Sequence, residues 1–218
     1  MPRPRSLTTR QIAAAALAVI DRDGLPALSM RTVAAELDRR TMALYRYVED
    51  REELECLVVD LALGPVLDRA AREPAPPSPR ARLLALLDLM REAVGAHPGV
   101  LPLAVRHHGG CLPALRWRER LLEALADAGL DAPRRAAALH ALVAYVIGEL
   151  ELEHQAAVAT ATATGAGVAA DPGGPLVPET FPLLSAALAA RAATDPARAF
   201  TDGARTVLDG LGVGTGIG

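Results

Sequence analysis

The sequence has no lysine: all 23 of its basic residues are arginine, set against 26 acidic ones. With so much alanine, this reads as the coding bias of a GC-rich genome and carries no mechanism of its own. Cysteine is nearly missing as well. Cys56 and Cys111 are the only two in 218 residues, far apart in the chain and outside any metal-ligand spacing. A disulfide framework and a cysteine-based zinc module are thereby excluded, and reduced, buried thiols are expected. Aromatic residues make up only 3% of the chain, and Trp117 is the sole tryptophan, expected in a core or pocket wall rather than in an aromatic cage. No hydrophobic run is long enough to span a bilayer, because Arg, Glu, Gly or Pro interrupts each one. The first ten residues are polar and basic and lack the apolar stretch of a signal peptide, so the cytoplasm is the expected compartment.

The motifs of common chemistries are also missing. The sequence shows no nucleophile elbow, no phosphate-binding glycine loop and no plausible carboxylate pair. Glu151 and His154 have the three-residue spacing of a di-iron helical site, but no second Glu-x-x-His accompanies them. The expectation is a protein that is not an enzyme and that needs no metal or cofactor.

What is present is helix. The chain is 51% hydrophobic and 22% charged, enough apolar surface for buried cores. Thr8 and Gln11 form a capping box, Leu7 can staple onto Ile12, and Ile12, Ala16, Leu17 and Ile20 make an apolar stripe ending at Gly24. Ser29 caps a second helix carrying Met30, Val33, Ala34 and Leu37 on one face. After a break at Asp38 to Arg40, a short third helix is expected from Thr41 to Tyr47. Asp50 and Glu53 open a fourth, with Leu54, Leu57, Val58 and Leu61 inward. The Pro-rich stretch from Glu73 to Pro79 marks a boundary. Beyond it, helices are expected from Ser78-Pro79, near Val100 to Val105, from Pro113 to Ala128, from Asp131 to Val158, from Glu179 to Arg191, and from Asp195-Pro196. Ala159 to Pro178 reads as a low-complexity loop.

Residues 29 to 48 set two short helices around a three-residue break, which is helix-turn-helix spacing. The second helix must enter a major groove, so its outward positions should be polar or small. Arg40, Thr41, Ala43, Tyr45 and Tyr47 satisfy that, while Leu44 and Val48 can face the core. Arg31 can reach a base or phosphate from the preceding helix, and Arg39 can add a phosphate contact. Charge agrees: residues 1–51 hold nine arginines against six acids, although the whole chain is at -3.

The run Leu28-Ser-Met-Arg-Thr-Val-Ala-Ala-Glu-Leu37, then Met42-Ala-Leu-Tyr-Arg-Tyr-Val48 and Arg51-Glu-Glu-Leu54, resembles the DNA-binding domain of the tetracycline-repressor (TetR) family. The resemblance implies base contacts from Arg31, Arg40, Thr41 and Ala43, and phosphate contacts from Tyr45, Tyr47 and Arg51. The family's usual Gly-Val-Ser turn is Asp38-Arg39-Arg40 here; aspartate tolerates a left-handed backbone better than most residues. Residues 80–212, through Tyr145 to Gln155 and Phe181 to Leu184, resemble the C-terminal domain of the tetracycline-repressor branch.

The fold class thus expected is all-α. Residues 1–63 form a three-helix DNA-binding domain, and residues 64–218 form a larger helical ligand-binding and dimerisation domain. The resemblance implies a homodimer on palindromic operator DNA, acting as a repressor released by a small-molecule effector. A ligand-independent dimeric DNA-binding protein is the alternative. Candidate pocket residues are Met90, Arg106, His107, Trp117, Leu121, Tyr145 and Glu149.

Overall fold

The computed structural model describes residues 7–107, 110–166 and 180–214, and every regular element among them is helical. In chain order these are α1 (Thr9–Asp23), α2 (Met30–Glu36), α3 (Thr41–Leu44), α4 (Arg51–Arg72), α5 (Pro79–Ala96), α6 (Leu101–Arg106), α7 (Leu112–Asp127), α8 (Ala132–Ala166), α9 (Pro182–Ala192) and α10 (Pro196–Gly210). Short 3₁₀ turns lie at Leu25–Ala27 and Pro98–Val100.

The helix starts follow local chemistry. The Thr8–Gln11 box closes in both directions at α1, and Ser29 forms a second box with Thr32 at α2. Asp50, Ser78 and Asp195 accept the expected backbone N–H bonds at α4, α5 and α10. At α4 the Glu53 carboxylate accepts from the N–H of Glu49, one residue before the cap. Asp38 takes the left-handed conformation at φ 51° after α2. The Arg39 N–H donates to the Ala34 carbonyl and the Asp38 N–H to that of Ala35, which closes the turn in a Schellman pattern without an apolar side chain.

Two sequence expectations shift. The third helix is shorter than expected, ending at Leu44, and Tyr45 to Tyr47 form a turn. Helix α8 does not stop near Val158 but continues to Ala166, so residues 159–166, read as loop from their Ala/Thr composition, are helical. Alanine favours helix, and the threonines that alternate with it here lower helix propensity without ending a helix. The rest of that expected loop, residues 167–178, lies outside the described residues. The division expected between residues 63 and 64 falls inside α4, which runs unbroken from Arg51 to Arg72 with Pro65 within it.

Helices α1 to α3 pack with the first half of α4, burying Ile12, Leu17, Ile20, Val33, Leu44 and Leu54. The second half of α4 packs on α5 and α7, and α5, α7, α8 and α10 make the body. The two parts meet closely. His97 Nδ1 lies 2.8 Å from Asp21 Oδ2 at the end of α1, and a Cβ on Gly99 would stand 2.7 Å from Ile20 Cγ2. Only a glycine lets the 98–100 turn sit so tightly on α1.

In the body, Trp117 Nε1 donates to the Leu86 carbonyl at 2.8 Å, tying α7 to α5. Tyr145 of α8 donates its hydroxyl to the Phe200 carbonyl of α10, and the two rings pack at 5.4 Å between centroids. Burial, then the nearby Glu149 charge, pushes the Tyr145 phenol up to about 12. Gly203 makes this contact possible, since a Cβ there would come within 2.5 Å of the Tyr145 hydroxyl oxygen. Gly203→Ala is therefore expected to destabilise the protein by about 1–3 kcal/mol despite alanine's better helix propensity. Urea titration checks this. A neutral or stabilising result would mean that α10 can slide away from α8 at no cost.

Candidate functional site

Helix α3 is only four residues long, and Leu44 is its sole buried side chain. A helix this short cannot hold itself together, so Leu44 and the preceding turn set its direction. Around that anchor, Met42 is 74% exposed and Tyr45 47% exposed, while Thr41, Ala43 and Tyr47 are half-buried. Arg31 in the first turn of α2, Arg39 and Arg40 in the turn, and Arg46 after α3 are all exposed. Among the described residues none of these four makes a side-chain ion pair; Arg39 donates only to the carbonyl of Asp38. Arg22, by contrast, is taken up by Asp23 and Glu36 at 2.9 Å. The fold thus brings Arg31, Arg39, Arg40, Thr41, Ala43, Tyr45 and Tyr47 into one region at the two short helices. Met42 and Arg46 join them and were not singled out from sequence. Their exposure depends on which way a four-residue helix faces, and periodicity cannot show that over a single turn.

Arg51 belongs to a different arrangement. Its Nε donates to Glu55 Oε1 at 2.8 Å, one turn along α4. Glu55 is only 3% exposed, and its Oε2 receives Arg106 at 2.9 Å and faces His107 Nε2 at 2.8 Å. A buried carboxylate of α4 is thus held between the start of its own helix and the end of α6. Burial alone pushes the Glu55 carboxyl up, but hydrogen bonds from Arg51, His107 and Arg106, with the Arg106 charge, outweigh it and leave it below the usual range. A lowered folded-state pKa stabilises the fold above the unfolded value of about 4.3 and stops doing so as pH falls through the folded value. Glu55→Gln should therefore cost about 2 kcal/mol at neutral pH. The difference from wild type should shrink towards zero as acid protonates Glu55. A difference that stayed constant down to pH 3 would mean that the charge on Glu55 contributes nothing.

Behind this cluster lies an apolar cavity of about 50 Å³ between α4, α5, α6, α7 and α8. Leu63, Met90, Leu101, Trp117 and Val146 contribute to its wall, and among the described residues Arg118 is the only charged one lining it. Of the pocket residues expected from sequence, Met90 and Trp117 line it. Leu121 is fully buried on α7, Tyr145 faces Phe200, and Glu149 pairs with Arg191. Arg106 and His107 bind Glu55 instead of lining the cavity. Among the described residues no three His, Cys, Asp or Glu side chains converge as metal ligands, and Glu151 accepts a hydrogen bond from Gln155. No helix among them is long and apolar enough to cross a membrane.

Residues 73–214 match the family model described as the tetracyclin repressor-like C-terminal domain. The chain is 33% identical over 150 residues to the HTH-type transcriptional repressor DrrR1 of Streptomyces coeruleorubidus, covering 67% of this chain and 53% of that protein. It is likewise 33% identical over 147 residues to an HTH-type transcriptional regulator of Saccharopolyspora erythraea, covering 61% of the latter. The chain therefore spans only about half to three-fifths of these curated relatives. Among solved structures it resembles ActR, a TetR family protein of Streptomyces coelicolor crystallised with (S)-DNPA, at 28% identity and a TM-score of 0.74 over 97% of this chain and all of that one. The ActR complex with actinorhodin gives 27% identity and the same TM-score, over 97% of this chain and 99% of that one.

Proposed function

This chain belongs to the tetracycline-repressor family of transcriptional regulators, and on that premise we propose that it represses transcription as a homodimer released from operator DNA by a small molecule. The observation that carries the DNA half is α3, anchored by one buried leucine and surrounded by unpaired arginines. In this reading Arg31, Arg40, Thr41 and Ala43 contact bases. Tyr45, Tyr47, Arg39 and Arg51 contact phosphates, and the exposed Met42 suits a thymine methyl. The exposed Leu152 on α8 and Leu183, Leu184 and Leu188 on α9 support pairing of two chains. A two-fold dimer would place its half-sites about one helical turn apart.

The effector half rests on α4. Arg51 opens this helix beside the reading element and Leu63 lines the cavity, twelve residues and so about 18 Å further along. The working division of the chain, near residue 63, thus lies within one unbroken helix. Its apolar wall and lone Arg118 suit a hydrophobic or amphipathic effector, and ActR shows that a protein of this fold takes up small molecules. Pockets for drug-sized ligands run to about 300–1,000 Å³. At about 50 Å³ this one must open to admit a ligand, forcing α4 and α6 apart where Glu55 joins them. Emptying a nearly full operator requires about 5.5 kcal/mol of differential affinity between the two states. The small volume also favours the alternative, a dimeric DNA-binding protein with no effector.

Two substitutions separate base reading from backbone contact. Arg40→Ala should cost about 1–3 kcal/mol at the operator and relax its sequence preference. Tyr45→Phe should weaken operator and random DNA alike. Equal losses on both DNAs from both variants, measured by fluorescence anisotropy, would restrict Arg40 to phosphates. A thermal-shift hit that left operator affinity unchanged would contradict release by an effector.

A further inference from the structure

Arg51 stands at the first position of α4, where the helix dipole disfavours a positive charge. Its side chain is 54% exposed, and a long side chain so placed ordinarily samples many rotamers. Glu52 and Glu53, one and two positions on, cannot face it on the same helix. Its partner is Glu55, whose Oε1 accepts from Arg51 Nε at 2.8 Å. Among the described residues neither Nη group of Arg51 donates a hydrogen bond.

An arginine followed four residues later by a glutamate is the weaker orientation of such a pair on an exposed helix. Glu55 is not exposed. Its second oxygen is held from α6, by Arg106 Nη1 at 2.9 Å and beside His107 Nε2 at 2.8 Å. His107 is itself buried, and its carbonyl accepts the N–H groups of Gly110 and Cys111, which fixes the end of α6. The carboxylate is therefore an anchored acceptor that cannot follow a moving guanidinium.

We propose that Glu55 is a positioning residue for DNA binding: anchored by α6, it holds Arg51 through Nε and aims the two Nη groups at a DNA phosphate. The inference rests on the phosphate contact given to Arg51 in the proposed function. Arginine binds a phosphate best through two parallel N–H bonds, and a bond made at Nε leaves the end-on pair free for that. The side chain is then ordered during folding rather than on binding DNA. Arg106 and His107, which belong to the body, thereby contribute to DNA affinity through Glu55.

Coulomb's law alone gives the opposite sign. Removing a negative charge near a phosphate should tighten DNA binding. Loss of positioning should weaken it, and only while Arg51 is present to be misplaced. A purely structural role would weaken binding with or without Arg51.

The test is a double-variant cycle on the full-length protein. Wild type, Glu55→Gln, Arg51→Ala and the double variant are titrated against a fluorescein-labelled duplex carrying the inverted repeat enriched from a random library. Circular dichroism establishes that each is folded at the assay temperature. Arg51→Ala and Glu55→Gln should each weaken binding roughly five-fold. In the Arg51→Ala background, Glu55→Gln should leave affinity within two-fold or tighten it. Glu55→Asp keeps the charge but withdraws the carboxylate by one methylene. It should behave as Glu55→Gln does, and it decides the matter if the glutamine variant does not fold.

Tighter binding by Glu55→Gln with Arg51 in place, a loss below two-fold, or equal losses in both backgrounds would overturn the positioning role while leaving the Arg51 contact intact. A loss below two-fold from Arg51→Ala would instead remove the phosphate contact from the proposed function, and the inference with it. Failure of wild type to bind any duplex would sink both.

Discussion

Leu44→Ala is expected to destabilise the protein by about 2–5 kcal/mol, with Tm falling on the order of 10 °C, and to abolish specific DNA binding. Leu44 is fully buried, and its carbonyl accepts the N–H groups of Tyr47 and Val48. It is the single side chain through which α3 enters the core. A four-residue helix cannot make enough internal hydrogen bonds to persist alone, so loss of the anchor frees its direction as well as its packing. Met42→Ala is the matched control. Its side chain points away from the core, and its removal should change stability by no more than about 0.5 kcal/mol. Calorimetry of both variants tests this. Near-equal melting temperatures would show that α3 is held by something other than Leu44.

Trp117→Ala should cost about 3–5 kcal/mol. The indole is 4% exposed, its Nε1–H holds α7 to the Leu86 carbonyl of α5, and its ring forms part of the cavity wall. Truncation would widen a space that is already there, so little collapse can offset the lost contacts. Trp117→Phe keeps most of the ring volume and should cost clearly less. Trp117 is also the chain's only tryptophan, so its emission reports directly on the cavity. An effector in the cavity should change that emission, while operator DNA alone should change it little. A Trp117→Ala variant within about 1 kcal/mol of wild type in urea titration would mean that the body core does not depend on α7 docking.

Much of this architecture is written locally. The box at Thr8, the caps at Ser29, Asp50, Ser78 and Asp195, and the left-handed Asp38 depend on residues at most a few positions apart. Sequence alone therefore reaches them, and with them the two short helices of the reading element. The length of α8 was not legible, because an Ala/Thr stretch suits a loop or a helix and neighbouring helices decide. The cavity was less legible still. Periodicity shows which face of α5 or α8 is apolar, but not where apolar faces fail to meet, so Leu63, Val146 and Arg118 gave no signal. Glu55 was hidden for a related reason. Its partners Arg106 and His107 come from a helix 50 residues away, and an acid in the first turns of a helix ordinarily reads as a favourable charge at the N-terminus.

The central claim is that α3 reads base edges. The most direct measurement is selection of bound duplexes from a fully random library at moderate salt, using purified full-length protein. An inverted repeat whose half-sites lie about one helical turn apart should emerge. Arg40→Ala, taken through the same selection, should lose definition at the same position in each half-site. A wild-type pool that stayed as random as the input would contradict the claim.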